Sequence, residues 1–141
     1  MSAQKITVVI EVPLSGERAW QAYIDPNEIT QWNFASDEWH CPKASVDLQV
    51  GGKHSARMEA KDGSFGFDFE AIYTEVDVPR AIAMELGDGR QCRTTFCSTD
   101  IGTRVETTFD AEAENSVEMQ REGWQAILSN FKKRAEQIAA S

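Results

Sequence analysis

At 141 residues the chain has the length of one ordinary domain, a size at which folding removes roughly 68–70% of the unfolded surface from water with no need of disulfides or metals. Its 14 Lys+Arg against 23 Asp+Glu leave a net charge of −9 with no basic run, which repels a phosphate backbone and excludes nucleic-acid binding. The 41% hydrophobic and 26% charged fractions are those of a globular chain, and no apolar stretch approaches the ~18 residues of a membrane span. Residues 1–12 lack a basic segment followed by an apolar block, so the expected location is cytoplasmic. The odd count of three cysteines, Cys41, Cys92 and Cys97, fits reduced thiols in a reducing compartment. Cys92 and Cys97 are read as small apolar fillers.

No linker, repeat or low-complexity tract divides the chain, so 1–141 is read as a single domain. Lys5–Val12 is rich in β-branched residues and stops at Pro13, the mark of a strand. Ser15 offers an N-cap to a short helix carrying Ala19, Trp20, Tyr23 and Ile24. Asp25-Pro26 then opens a second helical turn with Ile29 and Trp32. From Val46 the period changes to two. Strands are predicted near 44–46 and over 54–60, 65–76, 81–86, 91–98 and 104–110, separated by Gly51-Gly52, Asp62-Gly63, Val78-Pro79, Asp88-Gly89 and Asp100-Ile101-Gly102. Connections this short require an antiparallel meander. Phe65, Phe67 and Phe69 share one face, opposite Asp68 and Glu70. From Asn115, which forms a candidate capping box with Glu118, the pattern is helical for roughly 22 residues. Trp124, Ile127, Leu128, Phe131, Ala135 and Ile138 make one stripe, and Lys132, Lys133 and Arg134 weight the later turns. A rod of that length lies along the sheet.

The segment Trp32–Pro42 (WNFASDEWHCP) packs two tryptophans and a histidine into eleven residues. Its aromatics either plug one end of the core or rim an opening between sheet and helix, and both readings stay open at this stage. A curved sheet meets a straight helix along only part of its length, so the gap is either filled or left as a cleft. Met58, Phe67, Phe69, Met84 and Phe109, facing Trp124 and Leu128, would wall such a cleft. Gly123 costs the helix about 1 kcal/mol relative to Ala, which suggests close approach of a neighbouring segment or a ligand. His54 shares strand parity with Ala56 and Met58 and is read first as a satisfied core histidine. Asp37, Glu38 and His40 form a candidate acid–base group. No Gly-rich phosphate loop, Gly-x-Ser-x-Gly elbow, His-Glu-x-x-His or Cys-x-x-Cys motif is present, so no cofactor and no metal is expected.

The strings IEVPLSGERAWQAYIDPNEITQWNFASDEWHCP, VGGKHSARMEAKDGSFGFDFEAIYTEV and NSVEMQREGWQAILSNFKKRAE resemble homologues of the heat-shock-protein-90 ATPase activator, a group within the START-like (SRPBCC) helix-grip superfamily. The resemblance runs from about Lys5 to Ala139. It implies an α+β fold in which a curved seven-stranded antiparallel sheet wraps a long C-terminal helix, with two short helices after the first strand. It also implies an apolar cavity between sheet and helix. In that pattern His54 and Ala56 stand where larger aromatics are usual, implying a wider and more polar cavity. The chain matches only the C-terminal domain of the co-chaperone.

The function expected from these readings is binding of a small apolar or lipid-like molecule. Trp32, Phe34, Trp39 and His40 would line the cavity from the aromatic segment, Met58, Phe67, Phe69, Met84 and Phe109 from the sheet, and Trp124 and Leu128 from the helix. Two alternatives stand beside it. One is a cavity enzyme of polyketide-cyclase or hydrolase type using His40, His54 or Glu59 as acid or base. The other is a co-chaperone-type domain whose acidic surface docks on a protein partner. An exposed edge strand is also compatible with a homodimer.

Overall fold

In the computed structural model, which describes residues 4–140, the two ends of the sheet are held by strands adjacent in sequence. β1 (Lys5–Val12) lies at one edge and β2 (Trp39–Val46) at the other, and the order is β1-β7-β6-β5-β4-β3-β2. Between them the chain crosses the sheet through two short helices, α1 (Gly16–Ile24) and α2 (Pro26–Trp32). From β2 it returns as a meander through β3 (Lys53–Ala60), β4 (Gly66–Asp77), β5 (Ala81–Leu86), β6 (Gln91–Ser98) and β7 (Thr103–Asp110). Every pairing is antiparallel. This is the helix-grip architecture expected from the sequence.

The helical crossing is set by local chemistry. The Ser15 hydroxyl accepts from the Arg18 N–H at 3.4 Å. Asp25 serves both helices: its N–H donates to the Gln21 carbonyl, closing α1, and its carboxylate accepts from the Asn27 N–H at 2.8 Å, opening α2 ahead of Pro26. β2 begins five residues earlier than expected. Trp39 and His40 pair with Ala60 and Glu59, and the ladder resumes only at Lys43 with Arg57. The extra residue makes a bulge over Cys41 and Pro42, tolerated on an edge strand where proline loses no interior ladder bond. The Asp-Gly turns behave as their sequence demands, with Gly63 and Gly89 at φ of 78° and 91°.

Helix α3 (Val117–Ala140) has 24 residues, about 36 Å at 1.5 Å per residue. Its cap differs from the expected box. The Ser116 hydroxyl accepts from the Met119 N–H at 3.1 Å, while Asn115 turns back to Glu112 and Glu118 pairs with Arg121. The Gln120 carboxamide instead fixes the approach to the helix, accepting from the Glu112 N–H at 2.9 Å and donating to the Asn115 carbonyl at 2.9 Å. Leu128, Phe131 and Ala135 are buried against the sheet and the short helices. Two side-chain amides clasp the rod on either side: Gln125 Nε2 donates to the Val9 carbonyl at 3.0 Å and Asn130 Nδ2 to the Phe34 carbonyl at 2.6 Å. The helix runs past Lys132, Lys133 and Arg134 to Ala140, so these cations do not occupy its last turn. Arg134 instead forks onto the Glu28 carboxylate at 2.6 and 3.1 Å, tying α2 to α3.

Two further expectations are corrected. Cys92 is buried but Cys97 is exposed. Five positions apart on one strand they face opposite sides, and the outer side of this sheet is wet. Nothing lies within 4 Å of where a Cβ on Gly123 would stand, so close packing is not the reason for that glycine.

Candidate functional site

The strand register assembles the inner face of the sheet into rows. Tyr73, Met84, Cys92, Phe109 and Ile6 are successive cross-strand partners from β4 to β1. A second row runs Val76, Ile82, Thr94, Thr107 and Val8. Toward the far edge, His54 pairs with Ala71, Ala56 with Phe69, and Met58 with Phe67. Since the sheet curves and α3 is straight, the two surfaces part, and a cavity of about 240 Å³ lies between them.

Tyr73, Ile82, Met84, Cys92 and Thr107 form its floor. Trp124, Ile127 and Leu128 of α3 form the roof. One side wall comes from α1 and α2 through Tyr23, Ile24, Ile29, Trp32 and Asn33. The opposite wall comes from β3 and β4 through His54, Met58, Phe67 and Phe69. Phe67 keeps 42% of its surface exposed, and Asn33, Phe69, Trp124 and Ile127 are half-buried, so the cavity meets solvent at this side. For scale, an apolar void of about 150 Å³ suffices to hold benzene.

Seven of the eleven residues singled out from the sequence stand on this wall: Trp32, Met58, Phe67, Phe69, Met84, Trp124 and Leu128. The other four stand elsewhere. Phe109 faces inward but is fully buried beneath Trp124, whose ring stacks on it at 4.0 Å and 15°. Trp39 packs edge-on against Phe65 and Phe67 outside the cavity, with centroids 5.9 and 6.1 Å away. Phe34 is held by its backbone to Asn130. His40 lies beside Glu59 at 3.6 Å with both side chains well exposed, and Asp37 and Glu38 are on the surface. The bulge in β2 accounts for His40, because the residue inserted between His40 and Lys43 reverses the parity of what precedes it and sets His40 opposite Glu59 on the outer face. The aromatic segment is thus plug and wall at once: buried Trp32 donates its indole N–H to the Ala22 carbonyl at 3.0 Å and packs on Tyr23 and Phe131 while presenting one side to the void.

Of the polar groups of the wall, the sequence reading singled out His54 and passed over Tyr23, Tyr73 and Thr107 as site residues. His54 Nδ1 and the Tyr73 hydroxyl are 3.0 Å apart. The Tyr23 hydroxyl is 3.4 Å from Thr94 Oγ1, itself 2.8 Å from Thr107 Oγ1. Burial lowers the His54 pKa from 6.5 to about 4, so the ring is neutral at pH 7. Burial raises the Tyr23 hydroxyl to about 12, with a smaller push from Cys92, and raises the Cys92 thiol to about 12. Tyr73 is raised by burial and, secondarily, by its nearness to Tyr23. None of the described wall residues carries a formal charge at neutral pH. The strand parity set by Phe67 and Phe69 extends to Ala71 and Tyr73, and that signal would have found Tyr73. Thr94 and Thr107 carry no mark in sequence that separates them from exposed strand threonines.

Among the described residues no three His, Cys, Asp or Glu side chains come together to hold a metal ion, and no helix is long and apolar enough to cross a membrane. The family model described as activator of Hsp90 ATPase homolog 1-like protein matches residues 13–136. The chain belongs to this family. The AHSA1-like protein from Aeromonas hydrophila, solved by NMR, is similar at 40% identity over 98% of this chain and 96% of that one, with a TM-score of 0.91. A second solution structure, from Cytophaga hutchinsonii, is 38% identical over 98% and 94% of the two chains, with a TM-score of 0.78. A crystal structure from Nitrosomonas europaea shares the fold at 16% identity and a TM-score of 0.82, over 97% of each chain. No curated protein matches the sequence.

Proposed function

We propose that this AHSA1-like protein binds a small apolar or amphipathic molecule in the cavity between the sheet and α3. The observation that carries the reading is a void of about 240 Å³, reached from solvent beside Phe67 and walled mainly by aliphatic, aromatic and thioether side chains. Such a wall gains from expelling poorly solvated water in favour of carbon. Met58 and Met84 let it adjust to the shape of a guest. The volume suits a compact molecule of one or two rings or a short acyl chain.

Binding accounts for the site better than acid–base catalysis does. Of the three acid–base candidates only His54 reaches the cavity, while His40 and Glu59 pair on the surface. A histidine whose pKa is about 4 is a weak base at neutral pH.

The test is a neutral two-ring fluorophore, 1-aminonaphthalene, titrated into the protein and into Trp124→Ala. The native chain should enhance and blue-shift the emission at one site per chain, and removal of the roof indole should weaken the dye by tenfold or more, about 1.4 kcal/mol. Urea unfolding of both proteins supplies the control. If dye affinity is the same while stability falls by ~3–5 kcal/mol, Trp124 is core alone and the cavity reading is lost.

A further inference from the structure

We propose that the guest of the cavity is an elongated molecule with an apolar end and an uncharged polar end. Its polar half lies in a groove along the N-terminal half of α3, over Gly123; the proposal rests on the cavity reading above. The groove, of about 310 Å³, runs between α3 and the loop before it, with Phe69, Trp124 and Ile127 on its inner side. The same three side chains are walls of the cavity, and each is only half-buried. The place where they meet solvent is therefore the inner end of the groove. A chain too long for the 240 Å³ of the cavity emerges there.

Two features of α3 fit an occupant and have no role in packing. Met119, Gly123 and Ile127 follow one another at four-residue spacing, one row along the helix, and all three line the groove. Met119 keeps 61% of its surface exposed, and a Cβ on Gly123 would meet nothing within 4 Å. Helical side chains lean toward the N-terminus, so a longer side chain at 123 would lie over Met119 and Gln120 and fill the groove, whereas glycine leaves a bare track. The rim is polar but balanced: among the described residues it sets one cation, Arg90, against one anion, Glu112. Both are engaged, Arg90 Nε donating to Asp88 at 2.7 Å and the Glu112 carboxylate accepting from the Asn115 amide. An ionic end of the guest would compete with one of these pairs, while a hydroxyl adds to the rim without displacing either.

Three probes test this: 1-hexanol, 1-decanol and decanoate, titrated while the indole N–H resonances of Trp32 and Trp124 are followed by NMR. The native protein should bind decanol about tenfold more tightly than hexanol, and decanoate no more tightly than decanol. Decanol, unlike hexanol, should show nuclear Overhauser contacts to the Met119 methyl. Gly123→Leu should reduce the decanol-to-hexanol ratio below about threefold with hexanol binding unchanged. Gly123→Ala, which improves the helix with little filling, should leave the ratio within about twofold of the native value. Equal affinity for the two alcohols in the native protein, or no contact between decanol and Met119, overturns the groove and leaves the cavity reading standing. A ratio retained in Gly123→Leu overturns it as well, and tighter binding of decanoate overturns the uncharged end. Absence of any indole shift with all three probes removes the cavity reading and this proposal together. Should Gly123→Leu fail to fold, the Met119 contact in the native protein decides.

Discussion

The His54 ring shows how much of this site turns on a single side chain. Its pKa falls from 6.5 to about 4 on folding because burial disfavours the imidazolium. Between those values the unfolded chain binds the proton and the folded chain does not, so stability rises with pH there and is lost as pH falls from about 6.5 toward 4. At 1.36 kcal/mol per pH unit the full loss approaches roughly 3 kcal/mol. Urea midpoints at pH 7, 6 and 5 should fall for the native chain and fall clearly less for His54→Phe. Equal slopes over that range would show that another group is responsible. Parity with Ala56 and Met58 placed His54 on the inner face from sequence alone. What sequence did not reveal was its partner: Tyr73 lies nineteen positions away, and the two meet only because β3 and β4 pair with His54 opposite Ala71.

At the scale of elements, the strands and helices were legible because their patterns are local. Pro13, the Asp25-Pro26 junction and the Asp-Gly turns each impose a backbone geometry that neighbouring residues cannot override. The start of β2 was not legible, since Trp39 and His40 join the ladder through a bulge that inserts one residue after them. Phe109 illustrates a second limit: alternation gives the face a side chain occupies but not what lies over it, here the Trp124 ring. The start of α3 shows competition between caps, for Asn115 and Ser116 both suit the role and Gln120 settles it by bonding back to residues 112 and 115. Within that helix Gly123 has open space where a side chain would stand. Gly123→Ala should therefore stabilise the protein by about 0.5–1 kcal/mol through helix propensity, read as a higher urea midpoint at unchanged m-value. A lower midpoint would mean that an alanine side chain is not accommodated at that position in the native fold.

Across the whole molecule, cover is uneven. β5, β6 and β7 lie inside the sheet, with α1 against β6, α3 against β1 and α2 against β2, while among the described residues β3 and β4 have no comparable helix cover. β2 is an edge, and the β3–β4 turn carries Phe65 at 61% exposure. Amide hydrogen exchange should accordingly be slowest in β6 and β7 and fastest in β2 and the β3–β4 turn, with intermediate rates in α2. Uniform protection along the sheet would contradict this gradient. The aromatic group of Trp20, Tyr23, Trp32, Phe96 and Phe131, with centroids 5.0–5.4 Å apart, occupies the well-covered end. The opening beside Phe67 occupies the other.

That division separates two kinds of freedom. Side chains on the aromatic flank serve chain cohesion as well as the void, so altering them disturbs folding and shape together. Phe67 and Phe69 stand on the loosely covered hairpin, where replacement changes the contour offered to a visitor at small structural cost. Selectivity in such a scaffold can be retuned from one hairpin, with the rest of the architecture left as it is.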